Sequence, residues 1–140
     1  MKRGLLFLLV IVTVLLAGCG KSADSGSGSG GTTGTNQAEE KLSAKISAAT
    51  IEVTPSSSFP FTVDILSKMP AGGITIKVEA KREDNLVSVY SVQASSTFTS
   101  NNFTITSLPP GQIYCTATIT ITSATTPSNT WTGTFRVLWK

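Results

Sequence analysis

From residue 42 onward, apolar and polar positions alternate in short runs separated by turn residues, a spacing of two that predicts strands and not helices. The cleanest run sets Ile74, Ile76, Val78 and Ala80 against Thr75, Lys77, Glu79 and Lys81, so one face is buried and the other wet. Ile113 to Ser123 repeats the pattern, with Cys115, Ala117, Ile119 and Ile121 opposite Tyr114, Thr116, Thr118, Thr120 and Thr122. Phe59 to Ser67 places Phe59, Phe61, Val63 and Ile65 on one side and Thr62 and Asp64 on the other. Thr130 to Trp139 does the same with Trp131, Phe135, Val137 and Trp139 inward and Thr132, Thr134 and Arg136 outward. Lys45 to Val53, Leu86 to Ala94 and a strand opening at Phe103 complete the set, with a charged hairpin tip at Lys81 to Asn85 and a loop at Ser95 to Asn101. About seven antiparallel strands in 99 residues predict an all-β sandwich with one core.

The first residues follow a different pattern. Met1-Lys2-Arg3 is basic, and Gly4 to Ala17 is an apolar run broken only by Thr13, too short for a membrane span of roughly 20 residues and typical of a secretory signal. It leads into Leu16-Ala17-Gly18-Cys19, which resembles the lipobox of bacterial lipoproteins. The resemblance implies cleavage before Cys19, a diacylglycerol on its thiol and an acylated amino terminus, and so a stable membrane anchor. Gly20 stands where an inner-membrane retention signal would carry Asp, which implies the outer membrane or cell surface of the envelope if the organism is Gram-negative. Gly20 to Lys41 is Gly/Ser/Thr-rich with no large apolar residue, a flexible tether with a root-mean-square span of roughly 25 Å. The organisation expected is a signal peptide over 1–18, a lipidated Cys and tether over 19–41 and a sandwich over 42–140.

Composition narrows the function. The chain has no histidine, which excludes Ser-His-Asp and Cys-His nucleophile systems and His-ligated metals. Ser and Thr supply 18 and 21 residues, a bias that suits pleated, half-buried surface. The precursor carries +3, but loss of Lys2 and Arg3 with the signal leaves a side-chain charge of +1, so no basic footprint remains for nucleic acid.

A second resemblance sits between the fifth and sixth strands. Leu108-Pro109-Pro110-Gly111-Gln112-Ile113-Tyr114, leading into an alternating strand, is similar to the corner between the fifth and sixth strands of fibronectin type III and related Ig-like domains. The resemblance implies an Ig-like, fibronectin type III-like sandwich. Strand parity turns Tyr114 outward and Ile113 inward, because five apolar residues in register outweigh one motif residue. The absence of a Cys pair and of a Trp in the third strand excludes the antibody type.

Candidate chemistry is sparse. Cys115 lies in the inward file and reads as a small hydrophobe, and the two Trp read as core. Asp64 and Glu79 are expected on neighbouring strands, on solvated faces, and Glu83-Asp84-Asn85 reads as a hairpin tip in preference to a calcium loop. Asn102-Phe103-Thr104 matches a glycosylation acceptor by coincidence in a bacterial lipoprotein. The candidate ligand surface is Thr116 and Thr118 in the outward ladder, with Tyr114 or Tyr90 as a stacking plane for glycan. Lys77, Lys81 and Pro55 are the devices available to blunt strand edges. These observations predict a non-catalytic, lipid-anchored envelope protein without metal or cofactor, whose Ig-like domain serves adhesion, recognition or assembly through a protein or glycan partner. The alternatives are a structural spacer, an accessory subunit of a surface complex, or a small carbohydrate-binding domain.

Overall fold

The structure is a computed structural model that describes residues 38–140. The expected signal peptide, Cys19 and the tether as far as Gln37 lie outside the described residues. Eight strands follow in order: β1 (Ala44–Ile46), β2 (Ile51–Thr54), β3 (Phe59–Ile65), β4 (Ile74–Arg82), β5 (Ser88–Ser96), β6 (Ser100–Ile105), β7 (Tyr114–Ser123) and β8 (Thr130–Trp139). They form a three-stranded sheet, β1-β3-β6, and a five-stranded sheet, β2-β8-β7-β4-β5. The described residues are all-β.

The alternation read from the sequence sets the inner faces. In β7 every second residue from Cys115 to Ser123 is buried, and in β4 Ile74, Ile76, Val78 and Ala80 are buried opposite them, with Val78 beside Ile119 and Ile76 beside Ile121. The three-stranded sheet contributes Phe61, Val63, Ile65 and Ile105. Phe61 bridges the sheets, its ring 5.1 Å from that of Phe135 on β8 in an edge-on contact and 5.9 Å from that of Phe103 on β6. Trp131 and Trp139 are partly buried against this core, and Cys115 is wholly inside it.

Four expectations need correction. The first strand is not continuous: β1 pairs antiparallel with β3, the chain crosses at Ser47 to Thr50, and β2 pairs parallel with β8 in the other sheet. The count is therefore eight and one pairing is parallel, because a chain closing the side of a sandwich can bond to each sheet in turn. Strand β6 begins at Ser100, so the loop expected from Ser95 to Asn101 shrinks to three residues. Its polar start pairs with β3 through Asp64↔Ser100, and Ser100 Oγ donates to Asp64 Oδ1 at 2.7 Å, a ladder with no hydrophobic signature. Asp64 and Glu79 are not on neighbouring strands but on the outer faces of different sheets, because Leu66 to Gly73 carries the chain from one sheet to the other. That connection ends at Gly73, whose φ of 75° and 2.7 Å approach of a would-be Cβ to the Ser96 carbonyl leave room for glycine alone.

The chain before β1 is held on the sandwich. Asn129, in the β7–β8 loop, accepts from the Leu42 N–H at 2.8 Å and donates to Glu39 Oε1 at 2.6 Å and to the Glu40 carbonyl at 2.8 Å. Ser123 Oγ donates to Glu39 Oε2 at 2.9 Å. Glu39 and Glu40, assigned to the tether by composition, thus contact the domain through polar groups.

Candidate functional site

The outer face of the five-stranded sheet gathers most of the candidate residues. Register places Thr118 beside Thr134, Thr120 beside Thr132 and Thr122 beside Thr130, the hydroxyl ladder expected between β7 and β8. On its other flank β4 sets Lys81 beside Thr116, Glu79 beside Thr118 and Lys77 beside Thr120. Near the β4–β5 tip this face dips into a hollow of about 480 Å³ lined by Thr116, Thr118, Glu79, Lys81, Arg82, Glu83 and Leu86. Leu86 overhangs it from a left-handed backbone, φ 59°, and is 73% exposed.

Beside the hollow lies a linked set that spacing along the chain does not reveal. Arg136 on β8 donates through Nε and Nη2 to the two carboxylate oxygens of Glu83, both at 2.6 Å. Thr116 Oγ1 donates to the same carboxylate at 2.8 Å. The Arg136 guanidinium carbon stands 4.1 Å from the centre of the Tyr114 ring, within cation–π range. Bonding from Arg136, then from Thr116, holds the Glu83 carboxyl below its ordinary range. Arg82 does the same for Asp84, with contacts at 2.9 and 2.6 Å. Glu79 is lowered chiefly by bonding from Lys81, with Lys77 adding attraction, at 3.3 and 3.6 Å. The three carboxylates of this face are ionised at neutral pH and engaged with cations. The surface can offer hydroxyls and fixed charge to a ligand, and it holds no proton to donate from a carboxyl.

The ligand residues expected from sequence are divided by the structure. Tyr114, Thr116 and Thr118 share the outer face, as parity required, and Thr116 and Thr118 line the hollow. Tyr90 does not join them: it pairs with Ala80, which is fully buried, and packs against the core from the inner face of the same sheet. The reason is strand parity: Tyr90 runs in phase with Val92 and Ala94, which pair with the buried Val78 and Ile76, and the bulge between Ala80 and Lys81 falls only before it. One face of the Tyr114 ring is already taken by Arg136, which leaves at most the other face for stacking on a ligand. Leu108 is buried and its N–H donates to the Ser57 carbonyl at 2.9 Å, and Gly111 and Gln112 adopt positive φ, while Tyr114 faces solvent.

An apolar end adjoins the set. Leu138 is buried although it faces outward, since register seats it between Tyr114 and Val53. Ile51 and Val53, on the same side, are 50% and 54% exposed. Among the described residues no three His, Cys, Asp or Glu side chains converge on a metal position. The Glu83-Asp84-Asn85 tip instead spends its carboxylates on Arg136 and Arg82. A larger hollow of about 640 Å³ lies at the opposite end of the sandwich, between Ala38–Glu40, Lys68, Met69, Ala71 and the Thr125–Thr126 turn.

No family model matches the chain. Nor does any curated protein match it.

Proposed function

We propose that this chain is a non-catalytic bacterial envelope lipoprotein, anchored by lipid on Cys19, whose Ig-like domain binds a partner in adhesion, recognition or assembly. The anchor rests on the Leu16-Ala17-Gly18-Cys19 resemblance and the apolar run before it. The Ig-like reading is supported by two packed, mostly antiparallel sheets within about 100 residues and by the corner resemblance around Leu108 to Gly111.

One observation carries the binding role: the outer face of the five-stranded sheet is a hydroxyl ladder ending in an apolar patch, with Glu79 and Glu83 paired to neighbouring cations. Such a surface recognises by shape, hydroxyl bonding and apolar contact, and it lacks the free acid and base that glycoside hydrolysis needs. The hollow beside Thr116 and Thr118 favours glycan as a second class of partner, since its wall also carries Glu79, Lys81, Arg82 and Glu83, and charged groups can bond sugar hydroxyls.

Protease shaving of intact and permeabilised cells, with Cys19→Ala as the unanchored control, tests the reading. Digestion in intact cells and release of the Cys19→Ala protein from membranes are expected. Protection until permeabilisation removes surface adhesion, and membrane retention of Cys19→Ala removes the lipid anchor.

A further inference from the structure

Each sheet of the sandwich ends in two strands, and their edges differ in how they are protected. At the edges on the side where the first strand changes sheet, β1 has three residues and carries Lys45, while β2 has four, carries Glu52 and stops at Pro55. Shortness, charge and proline are the devices that keep an edge from pairing with another chain. On the other side β6 has six residues, two of them Asn, a poor strand former. Strand β5 has nine residues with no charge and no proline, and its one bulge is confined to the start before Tyr90. Lys77 and Lys81, expected as blunting residues, lie on β4, which is flanked on both sides and has no edge.

The exposed side of β5 is a regular pairing template. From Ala80↔Tyr90 to Ile74↔Ser96 its register with β4 is unbroken. The Arg82 N–H donates to the Val87 carbonyl on the β5 side, and the Glu83 N–H donates to the Tyr114 carbonyl on the β7 side. Bonding direction alternates along an antiparallel strand, so Tyr90, Val92, Ala94 and Ser96 bond β4, and Ser91, Gln93 and Ser95 turn their backbone groups to the open edge. The chain is also without any charged side chain for the 51 residues from Asn85 to Phe135, so two copies meeting at this edge bring no like charges together along it.

We infer that β5 pairs antiparallel with β5 of a second copy of this chain, joining two five-stranded sheets into one. The occupant follows from self-complementarity. A two-fold axis at Val92 sets Ser91 opposite Gln93 as the hydrogen-bonded pairs, using the backbone groups that β4 leaves free. The same axis places Val92 against Val92 and Tyr90 against Ala94, a large residue facing a small one, on the inner side. The inference concerns backbone pairing and stands whether or not the chain is lipidated.

The test uses the full chain in mild detergent, with molar mass followed by light scattering as concentration rises to about 1 mM, a range that reaches weak association. Ser91 and Gln93 are exposed on the outer face, so charges there leave the core intact. The unaltered chain should dimerise. The double variant S91K/Q93K sets Lys against Lys at both pairs and should weaken the dimer about tenfold or more, while S91K/Q93E sets Lys against Glu and should keep it. Circular dichroism and the unfolding midpoint verify that both variants fold. A chain that stays monomeric throughout, or two double variants that associate equally, overturns the inference.

Discussion

Gly133 offers the most direct test of how the sandwich is closed on its β1–β8 side. A Cβ at this position would overlap the tip of the Trp131 indole and stand 2.9 Å from the Ile46 methyl, so Gly133→Ala must move the indole that lies across it. Gly133 has an ordinary backbone, with Gly73 and Gly111 the glycines at positive φ among the described residues. The cost is therefore side-chain displacement alone. A buried Trp covers about 200 Å². Trp131 is partly buried, and losing about half of that contact at about 25 cal/mol per Å² costs about 2.5 kcal/mol. Replacing Gly in an unstrained position returns about 0.5 kcal/mol through the unfolded chain, leaving a loss of about 2 kcal/mol. Urea unfolding in a Trp139→Phe background, where Trp131 is the sole emitter, should show a lower midpoint and native emission shifted to the red. In a Trp131→Ala background the same Gly133→Ala change should be close to neutral, since only the end of the flexible Ile46 side chain remains to be displaced. Equal losses in both backgrounds refute the reasoning.

Other consequences are as concrete. The folded carboxyls of Glu83, Glu79 and Asp84 sit below their unfolded values, so the unfolded chain takes up protons first as the pH falls. Stability is then full above the ordinary carboxylate range and is lost through the lowered folded values. Urea midpoints should fall below about pH 4, and less steeply in Glu83→Gln; an unchanged slope argues against that ion pair. Asn129→Ala removes the partners of the Leu42 N–H, Glu39 and Glu40, and should cost about 1–3 kcal/mol while speeding amide exchange at Leu42, with unchanged exchange counting against the clamp. Burial raises the Cys115 thiol above its usual pKa, so a thiol reagent should modify it only at the rate of global unfolding; fast labelling in native buffer would show the core is open there.

How far the fold was legible depended on whether a strand's pattern came from burial. Strands β3, β4, β7 and β8 were read within two residues at each end, because each has one face in the core and alternation is the direct trace of that. Strand β5 met the same tolerance but slid by two residues at both ends, and β6 was missed at its first three residues, since it opens with Ser-Asn-Asn, which pairs through its backbone without an apolar file. The site was read in the same measure. The outward positions of Tyr114, Thr116 and Thr118 followed from parity, whereas Tyr90 was set beside them although it runs in phase with Val92 and Ala94 on the inner face. Arg136 and Glu83 are 53 positions apart, and no local spacing joins them.

By itself the sequence determined the all-β class, the inner and outer files of the long strands, the burial of Cys115 and the lack of imidazole chemistry, because these depend on side-chain identity and a period of two. Only the tertiary structure decided which strands are neighbours, that the first strand serves both sheets, and which carboxylates meet cations. It also showed that β5, with no charge and no proline, ends its sheet. Strand order and edge position arise from long-range pairing through backbone groups that every residue shares, and so leave no mark on the pattern of side chains.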